Sequence, residues 1–147
     1  GMGIAVRSGG QRPDIGSEAA VRRAVLDADT IGYSTGPSGR YLVSLFERWG
    51  IGAQVAARTV QAPPGVPVAT LVARGDVAVG FQQLSELRGV SGIEVLGPLP
   101  PEIQHITVFS AAAAAGCTQP DAARALLDFL AGPDAADSKR RHGMEPA

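Results

Sequence analysis

Ser34-Thr35-Gly36-Pro37-Ser38-Gly39-Arg40-Tyr41 is the stretch of this chain best equipped to meet a ligand, because it gathers hydroxyls and glycines into one turn. A turn of that kind, leading from a strand into a helix, aims unpaired backbone N–H groups outward and attracts anions. Ser34 and Ser38 add hydroxyls, Tyr41 sits one helical turn further on, and Gly39 lets a ligand approach the backbone closely. The competing reading is that Ser34 or Ser38 simply caps the helix. No Gly-Lys-Ser/Thr follows, so this is not a P-loop, and Gly36-Pro37-Ser38-Gly39 lacks the spacing of a nucleophile elbow. Two further turns share its character: Pro64-Gly65-Val66 ahead of a helix, and Gln82-Gln83 behind a strand. All three fall where an open α/β sheet collects its ligands, beyond the carboxyl ends of its strands. The candidate ligand-binding residues are Ser34, Ser38, Gly39, Tyr41, Val66, Gln82 and Gln83.

Catalysis would need a base within reach of a nucleophile or a metal. His105 falls in a connector and His142 in the run Lys139-Arg140-Arg141-His142, so surface or structural roles are expected for both. That basic run suits the negative end of a helix and reads as a solvated face. Cys117 follows Gly116 just before a helix start and reads as a loop thiol. As the single cysteine it can form no internal disulfide, and with two separate histidines it leaves no zinc-type ligand set. The expectation is a protein that is not an enzyme, with no catalytic residues, no metal site and no cofactor.

Lysine and arginine number 13 against 14 aspartates and glutamates, a formal net charge of -1. No basic field exists to attract nucleic acid or anionic lipid. The longest apolar run, over 108–115, is broken by Ser110 and falls far short of the ~18 residues of a membrane span. Length, 147 residues, and a hydrophobic content of 45% fit one ordinary globular domain. Gly1 ahead of Met2 reads as the remnant of a cleaved tag, and no Lys/Arg-rich start with an apolar stretch follows it.

The elements that must position these turns follow from periodicity and breakers. Strands are expected over 3–7, 30–34, 54–61, 77–81, 93–96 and 106–110. Helices are expected over 18–28, capped by Ser17, then from 37 to Gly50 and over 67–74, with a short one within 82–87. Two more are expected over 122–130 and 133–142, the last ended at Gly143. Tyr41, Leu42, Leu45, Phe46 and Trp49 form one apolar face. Strands alternating with helices mean an α/β layer fold with a largely parallel sheet flanked by helices.

Ile4-Ala5-Val6-Arg7 with Arg12-Pro13-Asp14-Ile15, Tyr33-Ser34 with Ser38-Gly39, Val68-Ala69-Thr70-Leu71-Val72-Ala73-Arg74-Gly75, Gly80-Phe81-Gln82-Gln83-Leu84-Ser85-Glu86-Leu87, Gly97-Pro98-Leu99-Pro100 and Gly143-Met144-Glu145-Pro146 stand in a telling order. Together they resemble the periplasmic solute-binding proteins of ABC transporters, type II class, in the molybdate-binding-like branch. The resemblance implies two α/β lobes with the ligand held between them, of which this chain carries the second lobe and the segment returning to the first. It implies residues 1–12 as a crossing strand and loop, 13–96 as the second lobe, 97–103 as a crossing or hinge segment, and 104–147 as the remnant of an incomplete first lobe.

By the same resemblance Ser38, Val66 and Gln83 fall on second-lobe ligand positions. Gln83 stands where molybdate binders commonly carry tyrosine, which sets molybdate against other anions. The implied partners are a small anion (molybdate, tungstate or a small carboxylate) and, for the full-length protein, an ABC permease. That protein would be periplasmic or extracellular, while this chain as it stands, lacking a signal peptide, would be cytoplasmic. Half of a two-lobed site is expected to bind its anion no better than in the millimolar range. Apolar faces over 106–115 and 122–130, left without a first lobe, imply a homodimer. The alternative is the effector-binding domain of a bacterial transcription regulator, which shares the fold.

Overall fold

The computed structural model describes residues 1–146, so Ala147, the end of the 104–147 segment, lies outside the described residues. The chain forms two compact units, Gly1–Thr107 and Val108–Ala147.

The first unit opens with β1 (Met2–Arg7), buried along all but its last residue. α1 (Glu18–Asp27) follows, with the Ser17 hydroxyl accepting from the Ala20 N–H at its start and Val21, Ala24 and Val25 on its buried face. β2 (Ile31–Tyr33) leads into α2 (Pro37–Arg48), which buries Leu42, Leu45 and Phe46. Next come a short α3 (Gly52–Val55), a 3-10 turn (Ala56–Arg58) and β3 (Thr59–Gln61). α4 (Val68–Arg74), β4 (Val79–Gln83), α5 (Leu84–Leu87) and β5 (Ile93–Pro98) complete the layer, and a second 3-10 turn occupies Pro101–Ile103.

The five strands lie in the order β3-β2-β4-β1-β5. β2 pairs in parallel with β3 and β4, whereas β1 pairs antiparallel with β4 and β5. Only β1 therefore runs against the rest, and the sheet is parallel in direction elsewhere. The main core joins β1, β2 and β4 to α1 and α2 through Met2, Ile4, Ile31, Leu42, Leu45 and Phe81. α4 presses on the sheet at Gly80, where a Cβ would lie 2.4 Å from the Val72 side chain. Only glycine permits that approach.

Three expectations about elements are corrected. The strand expected over 54–61 is helical through its first half, because Ala53, Ala56 and Ala57 favour helix and Arg58 turns back to donate to the Leu26 and Ala28 carbonyls. Gln82 and Gln83 end β4 rather than lying in the turn after it, held there by pairing with Gly3 and Met2. The strand expected over 106–110 does not form: the segment is largely exposed and pairs with neither edge strand of the sheet, β3 or β5.

In the second unit α6 (Pro120–Ala131) is followed by a 3-10 turn (Pro133–Ala135) and α7 (Ala136–Arg141), with Gly143 in the left-handed conformation beyond it. α6 buries none of its residues. Leu126, Phe129 and Leu130 are 57%, 54% and 41% exposed along one stripe of this helix.

Candidate functional site

β2 and β4 are adjacent and parallel, with Tyr33 opposite Phe81, so the turn at Ser34 and the end of β4 at Gln83 emerge along one carboxyl edge. α2 starts from Gly36 with no side-chain cap, and Pro37 takes its first position. The capping role weighed for Ser34 and Ser38 is thus not what they do. Their hydroxyls bond each other at 3.0 Å, and Ser38 is only 2% exposed. The Ser38 and Gly39 N–H groups lie in the first turn, where a helix supplies no acceptor. A Cβ on Gly39 would fall 1.7 Å from the Ser34 carbonyl oxygen. The room expected there for a ligand is filled by the chain itself, and glycine is what lets α2 begin against Ser34.

Gln83 is nearly buried, and its Nε2 donates to the Thr107 hydroxyl. Gln82 is equally buried, but its Oε1 accepts from the Ala69 N–H at 3.4 Å and so serves the start of α4. The Val66 N–H donates to the Pro63 carbonyl at 3.0 Å, closing its own turn, while the side chain packs on the cluster around Val68 and Leu71. Ser34, Ser38, Gly39 and Gln83 therefore share one edge of the sheet. Val66 and Gln82 have their polar groups engaged internally.

Tyr41 lies one turn along α2 from Ser38, and its hydroxyl donates to the Ile103 carbonyl at 2.9 Å. Its ring stacks on His105, with centroids 4.5 Å apart and planes 12° from parallel. Gln104 pins this connector: Oε1 accepts from the Met2 N–H at 2.7 Å and Nε2 donates to the Met2 carbonyl at 3.0 Å. Met2 in turn faces Gln83 across the β1–β4 pair. His105 and Thr107 are thereby brought to the edge, although neither was singled out as a ligand residue from sequence. Their only local signal is the run of polar residues Gln104, His105 and Thr107 around Ile106.

The edge presents neutral hydrogen-bond donors and one imidazole, a set suited to an oxyanion or carboxylate without a fixed counter-charge. Among the described residues no group of three His, Cys, Asp or Glu side chains could hold a metal. A cavity of about 540 Å³ opens at the opposite edge, between Arg7, Arg23, Asp27, Thr30 and Val77. It lies at the amino ends of β2 and β4, away from the N-terminus of α2 and the Ser34–Ser38 hydroxyl pair.

The profile of the family described as Bacterial extracellular solute-binding protein matches residues 1–145. Aconitate isomerase of a Pseudomonas species is 39% identical over 146 residues, covering 99% of this chain and 55% of the relative. The chain thus spans about half the length of the curated relative it matches. Among solved structures, the periplasmic molybdate-binding protein of Azotobacter vinelandii aligns with a TM-score of 0.71 at 17% identity, over 97% of this chain and 64% of the other. A substrate-binding domain assigned to a molybdenum ABC transporter from Clostridium difficile aligns with a TM-score of 0.69 at 13% identity, over 99% of this chain and 63% of the other. Both share the fold. Among the described residues no helix is long and apolar enough to cross a membrane.

Proposed function

The chain belongs to the bacterial extracellular solute-binding proteins, and from that premise we propose that its first unit holds a small organic anion at the carboxyl edge of the sheet. The observation that carries this reading is the Ser34–Ser38 hydroxyl pair at the N-terminus of α2, its Ser38 member buried, on the same sheet edge as Gln83. Two hydroxyls, the first amides of α2 and the Gln83 carboxamide would replace water around a carboxylate. A carboxylate is favoured over molybdate because Gln83 replaces the tyrosine that the resemblance implies, and because the 39%-identical relative is named for a tricarboxylate. Residues 13–96 would be the ligand-holding lobe, 1–12 and 97–103 crossing segments, and 104–147 the segment returning to a first lobe. Delivery to an ABC permease outside the cytoplasm is the matching role for the whole protein. The family match supports this over a regulator's effector domain.

A second reading rests on the same relative: the protein isomerises aconitate or a similar unsaturated acid. Association is proposed as well. A second copy of this chain would cover the exposed Leu126, Phe129 and Leu130 stripe of α6 across a two-fold axis.

Calorimetry of the chain with trans-aconitate, citrate, molybdate, tungstate and sulfate tests the binding reading. The tricarboxylates are expected to bind in the millimolar range, and Ser38→Ala and Gln83→Leu each to weaken them about tenfold, the equivalent of losing one hydrogen bond to a charged group. Equal affinity in both variants, or binding of none of these anions, would overturn it.

A further inference from the structure

We infer that His105 is the proton carrier of this edge, and that the site can move an allylic proton in a bound unsaturated carboxylate. This rests on the reading that such an anion binds there. The imidazole is tied to the α2 turn through Tyr41, on which it stacks at 4.5 Å. It is tied to Gln83 through Thr107, two residues on, and through Met2, whose N–H also donates to the His105 carbonyl at 3.2 Å.

The hydroxyl and carboxamide side chains already placed at the edge are engaged. Ser34 and Ser38 bond each other, Tyr41 donates to Ile103, Gln83 donates to Thr107, and Gln104 bonds Met2 and Leu99. Among the described residues, neither ring nitrogen of His105 has a protein partner, whereas the other histidine, His142, bonds the Ser138 carbonyl at 2.8 Å through Nδ1. Serine, threonine and glutamine cannot take and return a proton near neutral pH, and imidazole can.

The step balances without a further reactant. A methylene C–H beside a carboxylate breaks, and its proton passes to the imidazole. The electron pair spreads over the allyl carboxylate, where the α2 amides and the Gln83 carboxamide would stabilise it. The imidazolium then returns a proton to the far allylic carbon. One C–H bond breaks, one forms, and the double bond moves by one position.

The test is incubation of the full chain with trans-aconitate in D2O, read by proton NMR for deuterium entering the methylene and vinyl positions. Exchange is expected with the native chain and with His142→Gln. In His105→Phe, which keeps a ring on Tyr41, it should fall by ~100-fold or more while the ligand still shifts the Ser38 and Gln83 resonances. His105→Gln provides the same comparison should the phenylalanine variant fail to fold. Binding without exchange in the native chain, or native-rate exchange in the His105 variants, would overturn this proposal and leave the binding site intact. If no carboxylate binds, both readings fall together.

Discussion

Ser38 and Gly39 are adjacent, yet different physics holds each in place. Ser38 buries a hydroxyl whose partner is another hydroxyl four residues back, so Ser38→Ala should lower stability by only about 1 kcal/mol while weakening anion binding. Gly39→Ala drives a Cβ into the Ser34 carbonyl and should cost at least ~3 kcal/mol, the upper end of overpacking. Gly36→Ala, whose Cβ would meet nothing closer than 3.7 Å, should be near neutral by the same urea titration. Equal stabilities of the two glycine variants would mean that α2 does not begin against Ser34. Residue types at this turn were legible because hydroxyls and glycines cluster within a few positions. His105 and Thr107 were not, because what makes them matter is contact with Tyr41 and Gln83, far away in sequence, and no local pattern encodes that.

Between elements, the tie from α1 to α2 is a carboxylate. Glu18 accepts from Trp49 Nε1 at 2.6 Å and from Arg48 at 3.0 Å. The Trp49 hydrogen bond first, and Arg48 second, hold its pKa below the ordinary range. A lowered folded-state value means that the tie contributes above the unfolded pKa of about 4.3 and is lost as pH falls through the lower folded value. Trp49 fluorescence should therefore change at acid pH, and Glu18→Gln should remove that change; an identical titration in the variant would contradict the assignment. Gln104→Ala, which strips bonds to Met2, Leu99 and the His105 N–H, should cost about 2–3 kcal/mol in denaturant unfolding. Most elements were readable from caps and spacing, as at Ser17 and Gly75. The two misread strands have separate causes: the alanines of 53–57 carry the first into helix, whereas Ile106 and Val108, though β-branched, pair with neither edge strand of the sheet.

At the scale of the whole molecule, the α/β class and family resemblance were visible in the order of segments, while the fate of the apolar C-terminal residues was not, because exposure depends on what else covers them. Val108 is 80% and Phe109 65% exposed, beyond the α6 stripe already described. Light scattering at micromolar concentration should give a dimer mass that Leu126→Glu reduces to a monomer; a monomer at every concentration would end that proposal. Every role proposed for the carboxyl edge depends on the location of the anion. A titration of the isotopically labelled chain with trans-aconitate, followed by amide NMR, tests it most directly. Saturable shifts are expected at the Ser38 and Gly39 amides and the Gln83 side chain, and should disappear in the Ser38→Ala, Gln83→Leu double variant. Shifts confined to Arg7, Arg23 and Gly75 at the opposite cavity, or no saturable shifts at all, would contradict it.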